Sequence, residues 1–276
     1  MGRNAPLAAA LCIALAGGCD RQDAPTPAGQ ASESPSLRPL PVAEPPLDRE
    51  ALLLAVVQAA SAAATGKDRA EDERQLAGKR FELRLRFGCP GDPTGGSESR
   101  NWSFDEERRV VRVEIKPEIV SDTPLVKELL GSGFEAAEGF WIRRPWLLQA
   151  ACLRSDDASP ARDGEAGRET SAPSAPDEPA VQVGLVQFFT SDDRRTHRRD
   201  SRPYQATRPL AAGEQPSSAG YDLVIRGRLQ GLPDGRVIAC ALSGARQPSC
   251  IVSARFEEVS LERADTAELL AEWPNG

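Results

Sequence analysis

The stretch "KRFELRLRF", residues 79–87, decides the fold. Phe81, Leu83, Leu85 and Phe87 alternate with Arg80, Glu82, Arg84 and Arg86, the period of two that belongs to a strand with one buried and one wet face. The segments downstream repeat the pattern. "NWSF" and "VVRVEI" flank the charged turn "DEER" and read as a hairpin, while "VQVGLVQFFT" reads as a well-buried strand. In "YDLVIRGRLQ", Tyr221, Leu223, Ile225 and Leu229 share a face, and "GLPDG" supplies turn chemistry. The apolar parity of "CIVSARFEEVSLE" slips between Phe256 and Val259, which predicts a β-bulge at Glu257 or Glu258. The final "TAELLAEW" fits strand or helix, with Leu269, Leu270 and Trp273 packing on the domain. The expected class is mainly β with some α: antiparallel sheets, or a sandwich or barrel-like arrangement, in one domain over residues 47–276.

A helix should open that domain and pack on it. In "LDREALLLAVVQAASAAATG", Asp48 can cap, Leu47 can staple, Leu52, Val56, Ala59 and Ala63 recur at helical spacing, and Gly66 is a fitting stop. "AEDERQLAG" and "PLVKELLG" read as further short helices. Two segments lack the apolar residues a core needs. Residues 20–46 hold seven prolines among 27 residues, the composition of a disordered tether that spans at most about 80 Å extended and about 30 Å as a random chain. Residues 153–180 contain no aromatic residue, four prolines and seven acidic residues, and read as a disordered insertion.

The extreme N-terminus has its own pattern. "APLAAALCIALA", residues 5–16, is too short to cross a bilayer as a lasting helix, because about twenty apolar residues are needed. Ala16, Gly17 and Gly18 then precede Cys19. This arrangement resembles the lipobox of bacterial lipoproteins, although Leu15 stands four residues before the cysteine where the commonest pattern has it three before. The resemblance covers residues 1–20 and implies removal of residues 1–18 as a signal peptide, acylation of Cys19, and a cell-envelope location facing the periplasm. Asp20 resembles the signal that retains such proteins at the inner membrane, with the outer membrane as the alternative. Two or three acyl chains would hold the chain firmly, since each buried methylene contributes about 0.8 kcal/mol. Beyond these residues no characterised family is recognised.

Cys12 would leave with the signal and Cys19 would be acylated, so Cys89, Cys152, Cys240 and Cys250 remain. An even number in an oxidising compartment points to disulfides. "VIACAL" and "CIVSARF" flank the turn-rich "SGARQPS", which favours Cys240 with Cys250 across a hairpin and leaves Cys89 for Cys152. The chain-entropy argument gives such bridges about 3 and 4 kcal/mol. A metal site is disfavoured, because these cysteines are far apart with no CxxC pair and no nearby histidine. No cofactor fingerprint is present either.

The formal charge of −7 becomes −8 once Arg3 is removed, which gives no general footprint for nucleic acid. The 30 arginines against 4 lysines point to a GC-rich genome before they point to a ligand. Three groups could nevertheless carry chemistry. In "GFWIRRPWLL", Trp141 and Trp146 flank Arg143 and Arg144, and Pro145 should hold Arg144 extended. These four could form a stacking platform for a sugar or a clamp for carboxylate or phosphate, against a plainer reading in which the tryptophans fill the core and the arginines stack over them. In "SDDRRTHRRDSRP", His197, the only histidine, sits among five arginines from Arg194 to Arg202: a solvated loop, or a basic cluster for anionic lipid head groups or a polyanion, rather than the buried, oriented imidazole a catalytic triad needs. Carboxylates such as Glu135 with Glu138, or Asp105 with Glu106 and Glu107, could serve a glycosidase only if the fold set them across a sugar. The resulting expectation is a membrane-anchored envelope protein with a non-catalytic binding or assembly role toward a protein, glycan or lipid. The alternatives are an envelope hydrolase working through carboxylates and a structural spacer.

Overall fold

The computed structural model describes residues 44–67, 70–89, 99–130, 133–152, 182–194, 198–200, 202–243 and 247–274. The expected signal, Cys19, nearly all of the tether, the insertion at 153–180 and His197 lie outside the described residues. From Glu44 onward the chain forms one compact unit.

Helix α1 (Arg49–Thr65) begins where the sequence places it. Asp48 caps it by accepting from the Ala51 amide at 2.9 Å, and Gly66 ends it with φ 67, a conformation that costs glycine nothing. Its buried side is Leu52, Leu53, Val56, Ala59, Ala60 and Ala62, and Ala63 faces outward instead. Leu47 pairs with the sheet: its amide and carbonyl bond to Arg80 and Glu82 on the outer edge of β1 (Arg80–Phe87). Two further short helices, α2 (Ala70–Arg74) and α3 (Pro124–Leu130), match the sequence reading.

The fold is mainly β. The remaining strands are β2 (Arg100–Asp105), β3 (Val110–Ile115), β4 (Ile119–Val120), β5 (Ala136–Trp141), β6 (Gln182–Phe189), β7 (Tyr204–Pro209), β8 (Tyr221–Leu229), β9 (Ile238–Ser243), β10 (Gln247–Arg263) and β11 (Leu269–Pro274). They form an eight-stranded sheet along the path β1-β8-β10-β6-β5-β4, with β9 and β11 also on β10, and a three-stranded sheet β2-β3-β7. The large sheet keeps free ends and does not close into a barrel. It is also not wholly antiparallel, a departure from expectation: β6 runs parallel to the first half of β10. A parallel pair requires a long crossover, and here the crossover holds three other strands, so local pattern could not reveal it. The closing segment resolves as a strand, with Trp273 edge-on to Tyr204 and Leu269 left half exposed.

The 17-residue β10 organises the sheet. Ser253 accepts from the Gln230 amide and donates to the Val237 carbonyl, so β8 and β9 follow one another along the same edge with residues 230–237 looped out between them. Cys240 stands opposite Cys250 in the β9–β10 hairpin and bonds to it, and Cys89 bonds to Cys152. The expected bulge is present: the β8 register jumps between Phe256 and Glu258, leaving Glu257 extra. Gly227 sits opposite, where a Cβ would stand 2.0 Å from the Arg255 carbonyl oxygen.

The main core lies between α1, the apolar faces of β1, β8 and β10, and the small sheet. It joins Leu53 and Val56 to Phe81, Leu83, Ile225 and Val259, and reaches Val113 and Ile115 of β3. A second cluster under α3 gathers Ile119, Val126, Val186, Phe188 and Ile251. The opposite face of β1, β8 and β10 is charged instead of apolar. Arg226 bonds to Glu82, Glu258 and Glu262, Arg84 to Glu82 and Glu262, and Arg86 holds Asp222 through two hydrogen bonds of 2.6 and 3.0 Å. Burial pushes the Glu82 carboxyl upward, but the hydrogen bond and charge of Arg226, helped by Arg84, outweigh it and hold the group below the usual range.

Gly227→Ala should destabilise the protein by about 2–3 kcal/mol in urea unfolding, because β10 must move or the bulge must be lost. A change below about 1 kcal/mol, the ordinary scale for glycine replaced by alanine, would show that the bulge does not need this glycine.

Candidate functional site: an arginine-lined cavity

Five arginines from four parts of the chain line one small cavity: Arg49, Arg86, Arg100, and the neighbours Arg143 and Arg144, beside Leu85, Leu147 and residues 149–151. Its interior is about 30 Å³, more than the 10–15 Å³ that admits one water.

Arg49 holds the cavity together. It is the first residue of α1 and only 8 % exposed, so it points inward where a capping turn usually faces water. Its Nε donates to the Leu147 carbonyl at 2.9 Å, and its Nη2 donates to the carbonyls of Arg143 and Arg144 at 2.9 and 3.1 Å. Nη1 lies 3.5 Å from the Arg84 carbonyl on the outer edge of β1. One guanidinium therefore ties residues 143–147 to α1 and covers part of a sheet edge that no other described strand pairs. All of these acceptors are neutral. No described carboxylate lies within ion-pair distance of Arg49, and it stands at the helix end where the backbone dipole disfavours a cation. Burial and the nearby Arg100 charge both pull its pKa down; a guanidinium stays charged all the same.

Arg100 opens β2 and is 1 % exposed. Its Nη2 donates to Glu118 at 2.8 Å and to the Trp141 carbonyl at 2.7 Å, and Glu118 also accepts from the Trp141 amide and the Ser99 hydroxyl. Burial lowers the Arg100 pKa, Glu118 opposes that, and the charge of Arg143 adds to the lowering. Arg86 is neutralised by Asp222. Arg143 is exposed, and its side chain makes no hydrogen bond or ion pair among the described residues. Arg49 and Arg143 thus bring two positive charges to the cavity that no described carboxylate balances.

The structure sorts the four residues singled out in "FWIRRPW". Arg143 and Arg144 line the cavity. Trp141 ends β5 and packs in the second core cluster, while Trp146 is 60 % exposed on the turn. The two rings do not meet, so the expected two-tryptophan platform is not formed. Nor is Arg144 extended: its φ is 52. Pro145 disfavours the right-handed region for Arg144, and the turn closed by the Leu147 amide on the Arg144 carbonyl, together with the Arg49 bond, holds it in the left-handed one. Arg49, Arg86 and Arg100 were not legible as partners of this motif. Among 30 arginines nothing in the sequence marks three of them as facing inward.

The other candidates are engaged elsewhere. Arg198 lies over Phe189, Arg199 lies over Tyr204 and donates to the Pro203 carbonyl, and Arg202 bonds to the carbonyls of Arg198 and Arg199. These described members of the basic stretch serve its own folding. Asp105 accepts from the Arg108 amide and pairs with Arg112 in the β2–β3 hairpin. Glu135 is exposed, whereas Glu138, on β5, is 7 % exposed and takes the Arg199 amide on both oxygens. The fold does not set these carboxylates across a common cleft. Burial raises the Glu138 pKa; the Arg199 amide opposes this and Asp200 adds to the rise.

A folded-state pKa above the unfolded one gives stability that is complete below the ordinary glutamate range and is lost as pH rises through the folded value. Glu138→Gln should therefore raise Tm relative to wild type at neutral pH, with the difference shrinking as pH falls below that range. A difference that grows toward acid pH would contradict the burial account. Comparison of the chain with protein-family models, with curated proteins and with solved structures returns no match, so the reading of function rests on the residues themselves.

Proposed function

We propose that this chain is an envelope lipoprotein, cleaved before Cys19 and acylated there, whose β-rich domain is a non-catalytic binding module for a partner that carries an oxyanion. The location is the periplasmic side of a membrane, with the inner one favoured by Asp20. The anchor is supported by the pattern at residues 1–20 and by the two disulfides between the four cysteines that remain. The binding role is carried by one observation: the cavity under residues 143–151 brings in the charges of Arg49 and Arg143 with no described carboxylate against either. In a partly enclosed site such charges attract an anion more strongly than they would in water. Planar, multidentate guanidinium donors suit phosphate, sulfate or carboxylate.

Two measurements test the reading. Palmitate should label the wild-type protein and not Cys19→Ala; equal labelling of both would remove the anchor. For the domain, phosphate at five times its Kd should raise Tm by about 2–4 °C over chloride at equal ionic strength. Arg143→Gln should reduce that rise while leaving Tm in chloride within about 1 °C, since this side chain is exposed. No difference between the two salts would reject the oxyanion site.

A further inference from the structure

The arginine cavity does not stand alone. A larger groove of about 410 Å³ shares Arg49, Arg86, Gln149 and Ala150 with it, and adds Pro46, Asp48, Glu50, Glu82, Arg84 and Leu148. Around this pair of depressions lie exposed apolar side chains of a kind that proteins normally bury. Trp146 is 60 % exposed and Leu148 41 %, both on the segment that Arg49 fastens to α1. Leu54 and Val57 are 48 % and 55 % exposed on α1. At 100° per residue these two fall on the same side of the helix as Glu50, which lines the groove with Leu148. Beyond Glu50, α1 carries no charge at all. The cavity is thus a positive seat, lined by five arginines and no described carboxylate; the adjoining groove mixes Arg49, Arg84 and Arg86 with Asp48, Glu50 and Glu82, and Trp146 stands next in the chain to the cavity-lining Leu147.

We infer that this face docks on a lipid leaflet, with the phosphate of an anionic phospholipid headgroup seated in the arginine cavity and Trp146 and Leu148 at the level of the glycerol esters. The inference rests on the oxyanion reading above and names the source of the anion. Three observations favour a lipid over a free oxyanion. Tryptophan is at home at a membrane interface, where its ring is apolar and its N–H stays wet. The charge and the apolar side chains are adjacent, which matches the order of phosphate and acyl chain in a phospholipid, whereas a free ion would use only the cavity. Finally, the chain enters the domain at Pro46, which lines the same groove. The segment proposed to be anchored at Cys19 therefore joins the domain on the face that would meet the membrane.

The protein's net negative charge sharpens the test. A chain with a formal charge of −8 after residue 18 should avoid an anionic vesicle unless a local positive site overrides the repulsion. The test uses unacylated residues 20–276, which contain every described element, and sedimentation with vesicles of phosphatidylcholine with or without phosphatidylglycerol. We expect sedimentation only with phosphatidylglycerol, competed by inorganic phosphate more than by chloride at equal ionic strength. The double variant Arg143→Gln/Trp146→Ser changes only exposed side chains and should lower vesicle partitioning by about five- to tenfold. If phosphate raises Tm but the vesicles bind nothing, the lipid inference is overturned and the oxyanion site stands. If phosphate has no effect and the vesicles bind nothing, both fall. Sedimentation that the double variant leaves unchanged would place the contact elsewhere and overturn this seat.

Discussion

The architecture depends on the pairing of a single strand. β10 supplies both edges of its first half to β9 and β6 and both edges of its second half to β8 and β11, so four strands lose their neighbour if it is displaced. The hand-over from β9 to β8 falls at Ser253; further on, the bulge at Glu257 bends the strand within its pairing to β8, and the absence of a side chain at Gly227 lets the Arg255 carbonyl pass. The Cys240–Cys250 bridge closes the hairpin at the start of this strand and adds a covalent restraint there.

Arginine does two kinds of structural work here. On the outer face of β1, β8 and β10 it forms a connected set with Glu82, Asp222, Glu258 and Glu262. Isolated exposed pairs contribute little; here Asp222 and Glu262 are only 3 % and 8 % exposed at their side chains, so each needs its guanidinium partners. Arg49 is the other kind, a buried cation satisfied by backbone carbonyls. Its hydrogen bonds fix residues 143–147 against α1, and that attachment is what gives the cavity its wall. The arrangement leaves a charge without a counter-ion among the described residues, an imbalance that a ligand anion would relieve.

The sequence made the β class legible because alternation is a local property. Phe81 to Phe87, the parity slip at Glu257 and the hairpin around Cys240 and Cys250 are each contained in about a dozen residues or fewer, and each appears in the structure. What stayed hidden was non-local or weakly patterned. Strand β7 has only Tyr204 and Ala206 as apolar markers beside Gln205, Thr207 and Arg208, so pairing with β3, not side-chain alternation, makes it a strand. The parallel β6–β10 contact joins residues more than sixty positions apart. The same limit applies to the site. Arg143 and Arg144 stand out in the sequence because they sit between two tryptophans, yet their partners in the cavity come from a helix start, an edge strand and a hairpin start. Trp141 and Trp146 look equivalent in the sequence, and only burial separates the core residue from the surface one.

Arg49 is a buried, carbonyl-bound cation, and the proposed function needs its charge to be open to an external oxyanion. The most direct measurement is the nitrogen–proton NMR spectrum of the arginine guanidiniums, with Arg49 assigned by loss of its signal in Arg49→Lys, recorded through a phosphate titration. A carbonyl-bound Arg49 beside an oxyanion site should give a discrete, slowly exchanging Nε–H resonance that moves saturably with phosphate and not with chloride. A resonance that exchanges as fast as those of surface arginines, or one indifferent to phosphate, would contradict it.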